Sequence, residues 1–208
     1  MTIQTDVPRS GALMRLSRRL RRARRDEKGA TAIEFAFVAA PFLAFLFMTI
    51  EVAFVYGGTV SLEHALEKSA RKIRVGSAFS NMEDFRNDVC SHVVLLSNCQ
   101  SKLIVDVRTL GTFGDAGDQD VFGDYTNNNG SLEQPDPNDP GQYDTGGGGT
   151  VVLVNAFYKW DLIAQLPIFF NFRDGGYAVS PLANQSDGTR VMSATVAFKN
   201  EPFPSAGS

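Results

Sequence analysis

Residues 28–56 read KGATAIEFAFVAAPFLAFLFMTIEVAFVY, and this stretch decides the fold. No charged residue occurs from Phe35 to Ile50, and Thr49 is the only polar residue in that run. Roughly 20 predominantly apolar helical residues cross the hydrocarbon core of a bilayer. A secretory signal peptide would have a shorter apolar region followed by an A-x-A pattern, which is absent here. The stretch therefore predicts a transmembrane segment over residues 30–56, with the buried helix of a soluble domain as the weaker interpretation.

The segment that precedes the apolar stretch is strongly basic. Residues 1–28 contain eight Arg and one Lys against three acidic residues, a net charge of +6, whereas the whole chain carries −3. Nucleic acid and an anionic membrane are the usual partners of such a tail. Because an apolar helix follows at once, we assign the charge to membrane topology and predict no nucleic-acid partner. Residues 1–29 are thus predicted to form a basic cytoplasmic leader, with the chain beyond about Tyr56 outside.

An acidic residue, Glu34, stands near the start of the apolar run. An ionisable group within a membrane segment is costly and usually functional, although at the level of the lipid headgroups it costs little. Its context is Gly29-Ala30-Thr31-Ala32-Ile33-Glu34-Phe35-Ala36. This pattern resembles the prepilin cleavage signal of type IV pilin-like proteins. In that family a basic leader is cut after a Gly, and a Glu stands at the fifth position of the mature chain.

One branch of that family fits best. With Val38-Ala39-Ala40-Pro41 and Ile50-Glu51 included, the sequence resembles the TadE-like family of tight-adherence (Flp-type) pilus systems. The resemblance implies that Gly29 and Ala30 are processed and that Glu34 and Phe35 direct assembly. A cut between Gly29 and Ala30 would create an amine whose positive charge Glu34 of a neighbouring subunit neutralises.

The resemblance also implies a function and a set of partners. It predicts a minor pilin or pseudopilin that supports assembly of a Tad pilus for adherence. The implied partners are the bacterial inner membrane, a prepilin peptidase, other TadE-like or TadF-like subunits and the Tad inner-membrane platform. An uncleaved, single-pass anchor with a periplasmic binding or scaffold domain is the alternative. A membrane-anchored enzyme is a third interpretation, but the sequence has no P-loop, GxSxG or HExxH motif, so we predict no enzyme activity, catalytic residue or cofactor.

Past the membrane segment the pattern predicts an α+β fold, in which the long N-terminal transmembrane helix packs on a small antiparallel sheet domain. Residues 57–76 are predicted to continue the helix until Gly76 ends it. Within them, Gly57-Gly58 fits a hinge and close packing equally well, and Pro41 predicts a kink further back. The apolar residues that recur at helical spacing on one face are Val55, Leu62, Leu66 and Ile73.

Residues 77–208 are predicted to form the periplasmic domain. The patterns indicate a helix over 82–96 and strands over 102–108, 150–160 and 191–199. Cys90 and Cys99 are either a disulfide or two free buried cysteines, and an oxidising periplasm favours the disulfide.

A long polar stretch interrupts the predicted domain. Residues 111–149 are rich in Gly and Asp, and we predict a flexible surface loop there. The Asp spacing weakly resembles a calcium site, but it lacks the order and the closing Glu of an EF-hand. We therefore predict no metal.

Overall fold

The structure, a computed structural model, describes residues 27–77, 79–133, 142–162 and 182–203. Most of the predicted leader lies outside these described residues. The chain forms two compact units that divide between Met48 and Thr49. The described part of the first unit is helical, and the second unit holds the sheet.

The first element of the described residues is one long helix, α1, which spans Glu27–Arg74. Pro41 lies inside it, and the helix continues on both sides of that residue. Among the described residues, α1 is the one helix that is long and apolar enough to cross a membrane. The predicted long N-terminal helix is thus confirmed, and a kink at Pro41 stays a prediction.

Gly76 closes the C-terminal end of α1. Its φ of +79° lies in the left-handed region that favours glycine. The amide of Gly76 donates to the carbonyl of Ile73 at 3.0 Å, and the amide of Ser77 donates to the carbonyl of Lys72 at 2.9 Å. These bonds satisfy carbonyls that a helix end otherwise leaves unpaired. The helix therefore stops where the sequence predicts.

Two shorter helices lead from α1 into the sheet. Helix α2 spans Met82–His92, and its N-cap, Asn81, accepts a hydrogen bond from the amide of Asp84 at 2.8 Å. Helix α3 is a single turn, Cys99–Lys102, directly before the first strand. The predicted helix over 82–96 is therefore shorter at its C-terminal end, where residues 93–98 form a loop.

The sheet has three strands in the order β1-β2-β3, and both neighbouring pairs are antiparallel. Strand β1 spans Leu103–Leu110, β2 spans Val151–Trp160 and β3 spans Arg190–Lys199. In the register, Val105 lies opposite Ala156, which lies opposite Ala194. The three predicted strands and the small antiparallel sheet are confirmed.

One face of this sheet forms the main hydrophobic core with the second half of α1. Alternate strand residues point to that face, because side chains in a strand alternate between its two sides. The predicted stripe on α1 is fully part of this core, and α2 adds Phe85 and Val89. The largest fully buried side chains are Leu62, Leu66, Ile73, Phe85, Val89, Leu103, Val105, Val107, Val152, Val154 and Tyr158.

The other face of the sheet is partly covered by the segment that follows β1. This segment contains a 3-10 helix, Phe113–Asp118, and a single-turn helix α4, Val121–Asp124. Buried Val121 and Leu132 pack there in a second cluster with Ile104, Leu153, Phe157 and Val191. The stretch predicted as a flexible loop over 111–149 therefore contains short helices and core residues, because its few apolar side chains have a sheet face to cover.

Replacing Gly76 with Ala is expected to lower the free energy of unfolding by about 1–2 kcal/mol, because left-handed backbone is unfavourable for a residue with a Cβ. That Cβ would also lie 2.7 Å from Cγ of Phe203. Urea unfolding of the full chain in detergent micelles, followed by circular dichroism, measures the change. Gly117→Ala is the matched control, since a Cβ there meets nothing within 4 Å. Equal stability of the two variants would contradict this account of the helix end.

Candidate assembly site

The residues that the sequence assigns to processing and assembly lie in the first turns of α1. The structure describes α1 from Glu27, so the Gly29–Ala30 peptide bond falls within the first described turn of the helix. Glu34 and Phe35 are both exposed. Four residues make about one helical turn, so Ala30 and Glu34 share a face and are separated by about 6 Å along the axis. An amine created at Ala30 would therefore arise one turn from Glu34.

The helix surface around Glu34 is apolar on all sides. Phe35 is 73% exposed and Phe37 is 79% exposed, although both are large hydrophobic residues. A helix that is hydrophobic all round is covered by lipid or by other helices rather than by water. The exposed large apolar residues of the first unit are Ile33, Phe35, Phe37, Val38, Phe42, Leu43, Phe45, Leu46 and Phe47.

A second carboxylate of the same segment has a different environment. Glu51 is only 2% exposed, in contrast to exposed Glu34. The sequence indicates Glu51 only through its place in the family pattern. Its burial has no local signal, because the residues on both sides of it are apolar and give no single buried face.

Gly57 and Gly58 form a contact surface on α1 for the loop that joins α2 to α3. A Cβ on Gly57 would lie 3.1 Å from Cδ1 of Leu95, and a Cβ on Gly58 would lie 3.1 Å from Cδ2 of Leu96. Met192 of β3 also approaches Gly58, with its sulfur 3.1 Å from that Cβ position. Both glycines are helical. Of the two interpretations from sequence, close packing is therefore the one that these contacts support.

The same loop is held in place by a disulfide. Cys90 of α2 is bonded to Cys99 of α3, with 5.6 Å between their Cα atoms. The amide of Val94 donates to the hydroxyl of Ser61 on α1 at 3.0 Å, and the hydroxyl of Tyr158 donates to the carbonyl of Ser97. A bridge over a loop of this length stabilises a fold by about 2–3 kcal/mol in the chain-entropy account. The disulfide thus closes the loop, and the hydrogen bonds with Ser61 and Tyr158 attach it to α1 and to β2.

A buried charge network that sequence analysis missed connects β1 to the segment over its outer face. Asp106 is fully buried and accepts two hydrogen bonds from Arg108, at 2.6 and 2.8 Å. It also accepts one from the hydroxyl of Tyr125 at 2.6 Å. Arg108 in turn donates to Asp124 at 3.1 Å. The only local signal is an Asp and an Arg two positions apart, which places both on one face of the strand.

The network raises the pKa values of Tyr125 and Arg108. Burial and the hydrogen bond to Asp106 raise the pKa of Tyr125 to about 12. Hydrogen bonds to Asp106 and Asp124 raise the pKa of Arg108 above its ordinary value, despite the opposing effect of burial. The hydroxyl and the guanidinium therefore remain protonated as donors to Asp106, and we assign the network a structural role.

Replacing Asp106 with Asn is expected to lower the free energy of unfolding by about 3 kcal/mol, because Arg108 would lose its buried counter-charge. Asp124→Asn removes the other carboxylate that Arg108 contacts, but its side chain is 60% exposed. That control is expected to cost under about 1 kcal/mol. Urea unfolding of the two variants side by side measures the difference. Similar losses would show that the network does not fix the segment after β1.

The family comparison matches the part of the chain in which these features lie. The model of the family described as TadE-like protein matches residues 29–71, which include Gly29, Glu34 and Gly57-Gly58. No curated protein and no solved structure matches the chain. The match lies entirely within α1, and α1 is consistent with a membrane anchor. The resemblance to the TadE-like family that the residues around Glu34 indicate is therefore confirmed over residues 29–71.

Proposed function

We propose that the chain is a minor pilin or pseudopilin that supports assembly of a Tad (Flp-type) pilus for adherence. The observation that carries this proposal is the change in the apolar surface of α1 within the residues that match the family. The helix is apolar all round near Glu34, and it then presents one stripe to the core of an α+β domain. A helix of that kind can pack among other helices at one end while it carries a folded head at the other.

The topology we propose follows from the charge of the leader. The basic leader lies in the cytoplasm, α1 crosses the inner membrane once, and the sheet domain lies in the periplasm. The Cys90–Cys99 disulfide supports this side, because disulfides persist in oxidising compartments such as the periplasm. In this role the chain needs no cofactor and catalyses no reaction.

Assembly in this proposal depends on processing at the start of α1. A prepilin peptidase cuts between Gly29 and Ala30, and the new amine pairs with Glu34 of a neighbouring subunit. Such pairing offsets much of the cost of burying two charges among apolar helices. The neighbours are other TadE-like or TadF-like subunits and the main pilin, on the Tad inner-membrane platform.

One observation favours a second candidate function, that of an uncleaved single-pass scaffold with a periplasmic binding domain. The Gly29–Ala30 bond lies within a helical turn of α1. A peptidase must unwind that turn before it reaches the bond, because the helix otherwise holds the carbonyl and the amide of the bond parallel to its axis. A chain that kept its leader would remain an anchor beside the pilus.

Processing is tested by the N-terminus of the protein purified from membranes, read by mass spectrometry. We expect the mature chain to begin at Ala30. Gly29→Trp is expected to retain the leader, because a bulky side chain replaces the small residue at the cut. A wild-type chain that still carries residues 1–28 would rule out processing and favour the scaffold.

Pairing is tested by Glu34→Gln, which keeps the shape of the side chain and removes its charge. We expect normal membrane insertion and cleavage but loss of pili from the cell surface, counted by electron microscopy. Glu63→Gln is the matched control, since Glu63 is an exposed carboxylate of the same helix beyond the apolar segment. Wild-type pilus numbers with Glu34→Gln would disprove the pairing.

A further inference from the structure

The loop of residues 93–98 combines rigid attachment with unusual exposure of apolar side chains. Val94 is 85% exposed and Leu95 is 43% exposed. All six residues of the loop, VVLLSN, are uncharged. Exposing a large apolar side chain to water forfeits the free energy that its burial would contribute. In a loop pinned by a disulfide and by Ser61, such exposure indicates a surface that meets an apolar environment.

The position of this loop along α1 indicates which environment that is. Tyr56, 73% exposed, is the last exposed large apolar residue of α1, and the next one in the chain, Val75, follows the end of the helix. Leu95 packs on Gly57, the residue that follows Tyr56 in α1. Counted back from Tyr56, the roughly 20 residues that a bilayer core requires reach Phe37. Tyr56 is therefore at the level where the helix leaves the hydrocarbon, which is the level that Tyr side chains favour.

From this juxtaposition we propose that the 93–98 loop is a second membrane contact, with Val94 and Leu95 inserted into the periplasmic surface of the bilayer beside the exit of α1. The occupant of this apolar surface is lipid, because Leu95 packs on Gly57, directly after Tyr56 at the end of the exposed apolar surface of α1. The inference rests on the membrane anchoring proposed above.

The contact would restrain the sheet domain relative to the bilayer. With a single helix as its attachment, the domain is free to tilt. A second attachment point at the same level of the membrane would restrict that tilt. The disulfide keeps the two ends of the loop together, so the apolar tip does not have to be ordered on insertion. Interfacial binding of this kind scales with the apolar area that is buried.

Depth-dependent quenching of tryptophan fluorescence tests the proposal. The chain has one Trp, so Trp160→Phe provides a background for single reporters in the full-length protein. The loop reporter is Val94→Trp, with Leu95→Trp as a second loop reporter should the first one misfold. Phe113→Trp is the matched control, because Phe113 is also a large apolar residue of the domain and is 54% exposed. Phe45→Trp reports on the span.

The protein is reconstituted in phosphatidylethanolamine–phosphatidylglycerol vesicles that carry bromine near the headgroup end or near the middle of the acyl chains. We expect loss of emission from the loop reporter with shallow bromine, loss from Phe45→Trp with deep bromine, and none from Phe113→Trp. The loss at the loop should not depend on the ratio of protein to lipid.

Three results would overturn the proposal, and they are distinguishable. Quenching at Phe45→Trp without quenching at either loop reporter would mean that the chain is anchored but that the loop does not contact lipid. Absence of quenching at Phe45→Trp would show that α1 is not inserted in the bilayer and would contradict the proposed anchoring. Quenching at the loop that appears only at high protein density would assign the surface to a second protein copy instead of lipid.

Discussion

A backbone amide or carbonyl without a partner is costly inside lipid, and a helix pairs these groups within its own length. Helix α1 does so except at Pro41, which has no amide hydrogen to donate to the carbonyl four residues earlier. The helix continues past the charge-free run and ends at Arg74. What changes along α1 is how much of its circumference is apolar. Exposed apolar residues end at Tyr56, and from Leu62 onward the apolar residues lie on one buried stripe. The boundary between anchor and domain is therefore a change of side-chain pattern within one helix and not a break in the backbone.

The structure stabilises this boundary with small residues and a covalent bridge. Gly57 and Gly58 weaken a helix by about 1 kcal/mol each relative to Ala, yet they directly follow Tyr56, the last exposed large apolar residue of α1. Their missing side chains let Leu95, Leu96 and Met192 approach the helix backbone closely. The cost in helix propensity is offset by packing from two separate parts of the domain, the disulfide-closed loop and β3. A flexible joint at this place would forfeit those contacts.

Sequence analysis predicted the elements whose signals are local and missed those whose causes are distant in the chain. The charge-free run, the stripe through Leu62 and Ile73, and the alternation in the strands each follow from the periodicity of a single element, and all of them are found. The short helices over 113–124 gave no such signal, because Gly and Asp dominate there. They form because Val121 and Leu132 have the outer face of the sheet to cover. Burial of Asp106 likewise depends on Tyr125, which lies 19 residues away in the chain.

The family match ends within the buried stripe of α1 and before the first strand, and the packing gives a physical reason. The helix has position-specific requirements, which are the glycines under the 93–98 loop and the apolar residues at helical spacing, and the proposed cut and pairing at Glu34 would add two more. The sheet must only present an apolar face to that stripe, which many strand sequences with alternating hydrophobicity do equally well. Under the proposed function, residues 29–71 are the part of the chain whose sequence is constrained at individual positions. The sheet domain meets a less specific requirement, because it needs only an apolar face that buries the stripe of α1.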